Sequence, residues 1–573
     1  MRRRTLALRA SAVVGAGVLL AQGAAFGAGT APIGLTKPVS ASRTNLDPGR
    51  MYSSPAFAVD PRNPMRIIAT AADLRSRRCE AMRSLDGGQT WTLLDAAPAL
   101  PSYPSCSQSQ GGVVQAPVAF GRNGMLYIAS GAWDDQDGTR TGGAISVSRS
   151  ANLGDTWDST LVYTARGKTG EAAENVRPAQ GLVVNTTTGS DDVVFVSFNI
   201  TKSGFTAPNA VPAVPVVAVS RDGGRTFGAP VDLSAGQFDA APVRAQALTS
   251  RTTVTLAPGV TTTSTTAPAA GSKAAQPDQA ANFGGSNARL AIDKKGTVYA
   301  LWSSGASNIT PAPPAGRFLS KSTDAGKTWT TIQTMPFSYD NAGPRFAVSP
   351  SGVLHIVYQR NPKPDLAGYG EIYHQASTDG GKSWSDPKVI TDDNEKDLRG
   401  QYIPNISVAP NGRVDAVWWD TRDDPGIRSN DVYYAYSNDN GKTWSKNQRI
   451  TDQTVDRRVG VWGDNYDITS PPGLTSANAY VVIGWDDTRN TFDNYTIGIN
   501  GERGGGLQDV FTAVEQFSIV GPANNNTARV VLAAVAGLLF VGLVLLGVAM
   551  AAKRRTGAPA PARAGAQAKA KVG

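Results

Sequence analysis

Short apolar runs, in which hydrophobic and polar residues often alternate, recur along the middle of the chain with turn-forming residues between them. Residues 403–450 show the arrangement most fully, with runs at 403–408, 414–419, 431–436 and 444–450. A period of two is typical of half-buried β-strands, and Pro, Asn and Gly between such runs favour tight turns. The pattern predicts four antiparallel strands in this unit.

The same succession of runs is found elsewhere in the chain, so the unit is a repeat. The predicted units cover residues 55–95, 116–165, 178–233, 287–334, 344–391 and 403–450, and a last one begins near residue 466. Repeated four-stranded units are typical of a β-propeller, in which each unit is one blade. The last unit lacks a final strand, and we expect residues 33–42 to supply it and close the ring. The predicted fold class is all-β, a propeller with seven blades favoured and six as the alternative.

A polar motif marks the turn ahead of the fourth strand in six of the units. It has the form Ser-x-Asp-x-Gly-x-Ser/Thr-Trp, with Phe227 in place of Trp in one copy. Its acid, or in one copy an amide, is at Asp86, Asn152, Asp222, Asp324, Asp379 and Asp439. The carboxylate can accept hydrogen bonds from backbone N–H groups just ahead of it. The Gly supplies a positive φ, and the aromatic residue covers the turn with apolar area. We therefore expect the motif to stabilise hairpin turns.

These motifs resemble the Asp-box, or bacterial neuraminidase repeat, of sialidase-like β-propellers, and the resemblance extends from residue 50 to residue 517. It implies the propeller fold, and six is the number of blades in sialidases. Because the motif is a structural turn, it specifies a fold far better than an activity.

The two ends of the chain predict export and a membrane anchor. Residues 1–28 have the basic start, apolar run and small residues of a signal peptide. Residues 530–552 are uncharged and long enough to cross a bilayer, and the basic tail at 553–573 is expected in the cytoplasm. The propeller, at 29–520, is then extracellular at the cell membrane. The Thr-, Ala- and Pro-rich segment 234–286 within it is predicted to be a disordered insertion.

Net charge does not indicate a nucleic-acid partner. The formal charge is +9, but ten basic residues lie in the two terminal segments, with no acid among those at the C-terminal end. The middle of the chain is therefore close to neutral and lacks the basic excess typical of nucleic-acid binding.

Few residues are available for metal or cofactor chemistry. The chain has two cysteines, Cys79 and Cys106, and an exported protein favours a disulfide between them; two unpaired core cysteines are the alternative. The two histidines, His355 and His374, lie in strand-like runs and are interpreted as packing residues. We predict no metal site and no cofactor.

Polar residues collect where second strands end, on the face opposite the motifs. Adjacent strands are antiparallel, so the first-to-second and third-to-fourth turns share one face, and the remaining loops share the other. The candidate ligand-binding residues on that second face are Trp419, Asp420, Arg422, Asp486, Asp487 and Arg489. Arg, Asp and Trp near a propeller axis suit an anionic sugar. The alternative is that Asp420 with Arg422, and Asp487 with Arg489, are internal ion pairs beside core Trp residues.

The resemblance to sialidases also implies catalytic roles. Those enzymes use three Arg on the substrate carboxylate, a Tyr nucleophile paired with Glu, and an Asp acid/base. The candidates here are Arg177, Arg345, Arg422, Arg489, Tyr402, Tyr466, Glu371 and Asp134. The early Phe/Tyr-Arg-Ile-Pro motif of the family is missing, since the nearest segment, Tyr52 to Pro55, contains no Arg.

Two functions are therefore expected. The first is a membrane-anchored surface propeller that binds a glycan or a surface protein without catalysis. The alternative is an exo-sialidase-type glycoside hydrolase acting on sialylated or related acidic glycans. The missing motif favours the first.

Overall fold

Seven antiparallel sheets, arranged as consecutive blades, make up the fold. The structure is a computed structural model, and it describes residues 30–42, 52–73, 78–94, 108–109, 112–113, 116–132, 143–165, 174–202, 214–235, 253–255, 261–263, 288–304, 316–336, 344–360, 370–393, 400–424, 429–456, 471–490 and 508–519. All of these belong to one unit, Thr30–Ile519. The predicted signal peptide at residues 1–28, the apolar segment 530–552 and the tail lie outside the described residues.

Each blade has four strands, numbered here from the first to the fourth in sheet order. Blade 1 is Tyr52–Val59, Ile67–Asp73, Arg78–Ser84 and Thr92–Leu93; blade 2 is Val118–Phe120, Leu126–Ala132, Gly143–Ser150 and Asp158–Ala165. Blade 3 is Glu174–Asn185, Val193–Lys202, Val214–Ser220 and Val231–Asp232; blade 4 is Arg289–Ile292, Val298–Ser304, Gly316–Ser322 and Thr330–Pro336. Blade 5 is Arg345–Val348, Leu354–Arg360, Glu371–Ser377 and Lys388–Val389; blade 6 is Gln401–Val408, Val414–Asp420, Ser429–Ser437 and Gln448–Arg449. Blade 7 is Gly473–Ser476, Tyr480–Asp487, Asp509–Ile519 and, from the N-terminus, Thr30–Leu35.

A few short elements lie outside this scheme. Val39–Ser40 also pairs with the third strand of blade 7, and Val455–Asp456 pairs with the third strand of blade 6. Two hairpins join Gln108–Ser109 to Gly112–Val113 and Thr253–Thr255 to Thr261–Thr263. A single 3-10 turn, Arg122–Gly124, completes the described elements. The second hairpin falls within 234–286, and most of that predicted insertion lies outside the described residues.

The ring closes through strands from opposite ends of the chain. Thr30–Leu35 pairs antiparallel with Asp509–Ile519, from Thr30 opposite Ile519 to Leu35 opposite Glu515. The first strands of all seven neighbouring blade pairs contact one another, including those of blades 7 and 1. The prediction of seven blades, with the last completed by an N-terminal strand, is therefore confirmed.

The core is divided among the seven interfaces between blades. Each hydrophobic cluster draws its residues from two neighbouring blades. Second strands are buried on both faces, as in Val414–Asp420, where all seven residues are buried. Because each blade packs against two others, the sequence of its second strand is a nearly continuous run of apolar residues.

The Asp-boxes form the expected turns, as the copy in blade 4 shows. Ser322 Oγ donates to Asp324 Oδ1 at 2.9 Å and accepts from the Gly326 N–H at 2.9 Å. Asp324 also accepts the Thr328 hydroxyl and N–H, at 2.5 and 2.9 Å. These two bonds, the hydroxyl first, lower the pKa of Asp324 to about 2. Gly326 has a φ of +78°, which favours glycine.

A buried histidine pair lies between blades 5 and 6. His355 Nδ1 and His374 Nε2 are 3.1 Å apart, and both side chains are buried. The His374 ring packs edge-on against Trp444 of the next Asp-box, with 5.1 Å between centroids. A Cβ at Gly441 would lie 2.0 Å from His374 Cε1. Burial lowers the pKa of His355 to about 4. The pKa of His374 is lowered to about 3, mainly by burial and further by the nearby His355 and Lys388.

We predict that acid weakens the propeller through this pair. Both folded pKa values lie below the ordinary value of 6.5, so the pair stabilises the fold fully above that pH. This stability is lost as the pH falls from 6.5 towards 4 and 3, by several kcal/mol, since a difference of one in pKa corresponds to about 1.4 kcal/mol. Denaturant unfolding of the His355→Leu/His374→Leu double variant should show a flatter pH dependence over that window. An unchanged pH dependence in the variant would contradict the prediction.

Candidate functional site

Two kinds of polar structure occupy the two faces of the ring. The Asp-box turns share one face, named here the box face, because each joins a third strand to a fourth. The opposite face carries the starts of first and third strands and the ends of second strands. The ligand-binding and catalytic candidates that the structure describes fall there, but several of them make contacts within the fold.

Arg422 joins blade 6 to blade 5. Its backbone N–H and Nε donate to Asp420 at 2.8 and 2.9 Å, and Nη1 donates to Asp392, which follows the fourth strand of blade 5, at 2.9 Å. Asp420 Oδ2 also accepts from Trp418 Nε1 at 2.9 Å. The guanidinium carbon lies 4.2 Å from the centroid of the Tyr433 ring. Hydrogen bonds and stacking therefore fix this side chain on both sides.

Arg489 repeats the arrangement between blades 7 and 6. Its Nε and Nη2 donate to Asp487 at 2.9 and 2.8 Å, and Nη2 also donates to Asp452, which follows the fourth strand of blade 6, at 2.7 Å. Trp485 Nε1 donates to Asp487 at 2.8 Å, and the guanidinium carbon lies 4.1 Å from the Phe511 centroid. The shared sequence Trp-x-Asp-Thr-Arg therefore marks a clamp between blades.

These contacts match the internal ion-pair alternative for the two Arg–Asp pairs. Trp419, a third candidate for ligand contact, is fully buried in the cluster between blades 6 and 7. Asp420 and Asp487 are 0% and 1% exposed, which leaves their carboxylates to the clamps. The geometry gives all of these side chains a structural role.

Asp486 differs from its neighbour Asp487. It accepts the Ser53 hydroxyl at 2.7 Å and the Ser54 N–H at 3.2 Å, across the interface with blade 1. The first strand of blade 1 has a bulge there, and Ser54 adopts a φ of +60°. Burial, only partly offset by the two hydrogen bonds, raises the pKa of Asp486 to about 7. This carboxyl is therefore partly protonated at neutral pH.

The remaining catalytic candidates are dispersed. Tyr402 donates its hydroxyl to Asn430 within blade 6. Glu371 is buried at the start of the third strand of blade 5 and accepts the Thr391 hydroxyl. Arg177 stands opposite Asn199, just before a bulge in the first strand of blade 3. Asp134, Tyr466 and Cys106 lie outside the described residues, while Cys79 is disulfide-bonded.

A polar cluster that includes the candidate Arg345 lies between blades 5 and 6. It consists of Arg345, Gln359 and Gln401, and is named here the unpaired cluster. Arg345 Nε, Gln359 Oε1 and Gln401 Oε1 are buried and have no hydrogen-bond partner among the described residues. A Cβ added to Gly370 would lie 2.7 Å from Gln359 Nε2 and 2.9 Å from the Gln401 carbonyl oxygen, so the two glutamines approach each other. The first strands that Arg345 and Gln401 begin are in contact.

Gln401 is the most enclosed member of the cluster. It is 0% exposed, and its Nε2 donates to Asp393 at 2.5 Å. Burial raises the pKa of Asp393, while Arg422 opposes the shift. No group of three His, Cys, Asp or Glu residues placed to hold a metal occurs in the part of the chain that the structure describes.

Comparison with known proteins supports the repeat. Residues 318–461 match the BNR repeat-containing family. No curated protein matches the sequence. The chain is a β-propeller of seven blades, and this segment of it matches the repeat family.

Solved structures similar to this chain include enzymes and one protein of unknown function. A protein of unknown function from Dyadobacter fermentans has 10% identity and a TM-score of 0.40, with 86% of this chain and 100% of that chain covered. The α-L-arabinanase of Penicillium chrysogenum has 11% identity and a TM-score of 0.36, with coverages of 84% and 98%. The sialidase of Trypanosoma rangeli has 11% identity and a TM-score of 0.37, with coverages of 71% and 54%. We draw nothing about the ligand of this chain from them.

We predict that Arg422→Ala destabilises the propeller. Removing one partner of a buried ion pair leaves the other charge uncompensated, and Asp420 is fully buried, so the expected loss is about 3 kcal/mol in the free energy of unfolding. Arg360→Ala is the matched control, because Arg360 is an exposed arginine on the same face. Denaturant unfolding of both variants measures the difference. Equal stability of the two variants would argue against the clamp.

Proposed function

We propose that this chain is a membrane-anchored, extracellular propeller that binds an acidic glycan on the face opposite the Asp-boxes without cleaving it. The unpaired cluster carries the proposal. It offers one buried cationic donor at Arg345 and two buried acceptors at Gln359 and Gln401, all without partners among the described residues.

A buried polar atom without a partner costs roughly 1–3 kcal/mol, so a ligand that supplies the missing hydrogen bonds gains that free energy on binding. Sugar hydroxyls both donate and accept, and they suit a cluster that contains both kinds of atom. Arg345, whose side chain is nearly buried, adds a positive charge suited to a carboxylate. An acidic sugar combines the two chemistries.

The lack of catalysis is proposed from the fate of the catalytic candidates. Among the described residues, Arg422 and Arg489 are engaged by aspartates, Tyr402 by Asn430 and Glu371 by Thr391. An arginine that clamps two blades has its guanidinium donors directed at carboxylates of the fold and away from a substrate. Carbohydrate binding requires none of these groups to be free.

A glycoside hydrolase is the second candidate, and Asp486 favours it. A general acid must carry its proton near neutral pH, and burial raises the pKa of Asp486 to about 7. Its neighbours Ser53 and Ser54 occupy the segment where the sialidase motif would place an arginine.

The membrane anchor is proposed from sequence alone. Residues 530–552 form an uncharged span followed at once by basic residues, and residues 1–28 have the pattern of a signal peptide. Among the described residues no helix is long and apolar enough to cross a membrane, and both terminal segments lie outside them.

We predict that Arg345→Met lowers glycan affinity without lowering stability. The variant loses one charge-assisted hydrogen bond to the ligand, which should weaken binding about tenfold. It also loses a buried donor that has no partner among the described residues, so its free energy of unfolding should be unchanged or higher. The full chain in detergent is screened against acidic and neutral oligosaccharides, and the affinity of the best ligand is then measured for each variant. Arg360→Met is the matched control and should bind like the parent.

The same preparation separates binding from catalysis. We expect no sugar to be released from a fluorogenic sialoside at acidic or neutral pH. Hydrolysis that disappears in Asp486→Asn would overturn the binding proposal and establish the hydrolase. Glycan affinity equal in Arg345→Met and the parent would remove the unpaired cluster from the proposal.

We predict that protease added to intact cells degrades the propeller and spares the tail after Lys553. The reason is the positive-inside rule, which places residues 553–573 in the cytoplasm. Immunoblots against a C-terminal tag measure the protected fragment, and permeabilised cells serve as the control. A tag that is digested in intact cells would contradict the orientation.

A further inference from the structure

Lysines of blades 4 to 6 are segregated onto the box face. Their described members lie in Asp-boxes, in the first turn of blade 4, at the end of its third strand, or at the start of fourth strands: Lys294, Lys295, Lys321, Lys327, Lys382, Lys388, Lys442 and Lys446. All except Lys321 are exposed. On the opposite face, the described cations of these blades are arginines, many of them buried or clamped. The eight lysines are named here the lysine face.

The acids on the lysine face are fewer, and four of the five accept hydrogen bonds from the backbone of their own turns. They are Asp293, Asp324, Asp379, Asp386 and Asp439, five against eight lysines. Asp293 accepts the Lys295 and Thr297 N–H groups at 2.9 Å each. The three Asp-box carboxylates likewise accept from the backbone of their own turns. These four aspartates hold turns together, and every lysine of the face except Lys321 is exposed to solvent beside them.

The chain leaves the propeller on the same face. The third strand of blade 7 runs towards the box face, as every third strand does, and it ends at Ile519. Ten residues, 520–529, connect it to the apolar segment 530–552. An extended chain spans at most about 3.5 Å per residue, so covalent connectivity limits the separation to about 35 Å.

We propose that the lysine face docks on the anionic phospholipid headgroups of the membrane that holds the chain. The proposal rests on the membrane anchor proposed above. Lysine suits this partner because its ammonium is a compact charge on a flexible stem, and each one near an anionic surface adds to the attraction. The tether supplies a high effective concentration, which lets weak contacts hold the orientation. Docking would direct the glycan-binding face away from the cell.

The test uses the full chain reconstituted in liposomes. A fluorophore is attached to Lys382→Cys on the lysine face or, as the matched control, to Arg360→Cys on the opposite face. Headgroup-linked quencher is added to vesicles of phosphatidylcholine with or without phosphatidylglycerol. We expect the label at 382 to lose most of its emission with phosphatidylglycerol and the label at 360 to keep it. Salt should restore the emission at 382, because the Debye length falls from about 10 Å at 0.1 M to about 3 Å at 1 M.

A charge variant tests the cause of the quenching. Replacing Lys294, Lys295, Lys327 and Lys442 together with Gln should abolish the phosphatidylglycerol-dependent quenching at 382. Quenching that is equal at the two positions, or that persists in this variant, would overturn the docking proposal. Carbonate extraction of the reconstituted chain tests the anchor separately. If the chain is extracted from the liposomes, the anchor is refuted. If it is retained but shows no quenching at 382, only the docking is refuted.

Discussion

Ring closure is the constraint on which the rest of the structure depends. Every hydrophobic cluster of the propeller lies between two blades, so a blade without a neighbour would leave an apolar face in water. The N-terminal strand Thr30–Leu35 prevents this by completing blade 7 across a sequence separation of nearly the whole chain. The entropic cost of closing so long a loop grows only slowly with loop length. The stabilisation from buried apolar area, in contrast, increases with each blade that is added. Pairing of the two chain ends is therefore stabilised by the packing of the whole ring.

The two faces of the ring satisfy their polar groups in different ways. On the box face, an aspartate such as Asp324 bonds within its own turn and is complete without a neighbouring blade. On the opposite face, Arg422 and Arg489 reach carboxylates of the preceding blade. The Asp-box turns are thus built locally, and most of the lysines beside them are exposed to solvent. On the opposite face these ion pairs link neighbouring blades. A ligand there can bind only to polar groups that are not part of the clamps.

This difference explains which features of the structure could be predicted from the sequence and which could not. The strands and Asp-boxes were predictable because a turn such as the one at Asp379 is encoded within eight residues. The N-terminal strand was expected at residues 33–42, but its main pairing begins at Thr30, because an edge strand carries little pattern of its own. The structural role of Arg422 depends on Asp392, thirty residues away in another blade, so the sequence left both an ion pair and a ligand contact open. Gln359 and Gln401 belong to no motif, and only their burial without partners distinguishes them.

Asp486 shows why a raised pKa does not by itself identify an enzyme. Burial holds this carboxyl near half-protonation, but it is 6% exposed, and Ser53 and Ser54 occupy its two oxygens. A general acid must reach the leaving group to within hydrogen-bond distance, so catalysis by Asp486 requires the bulge of blade 1 to open. Arg345, Gln359 and Gln401 need no such movement, because Arg345 Nε and the two glutamine Oε1 atoms have no partner among the described residues. The groups that are ready for a new hydrogen bond therefore belong to the unpaired cluster, and binding there demands less of the fold than proton transfer from Asp486.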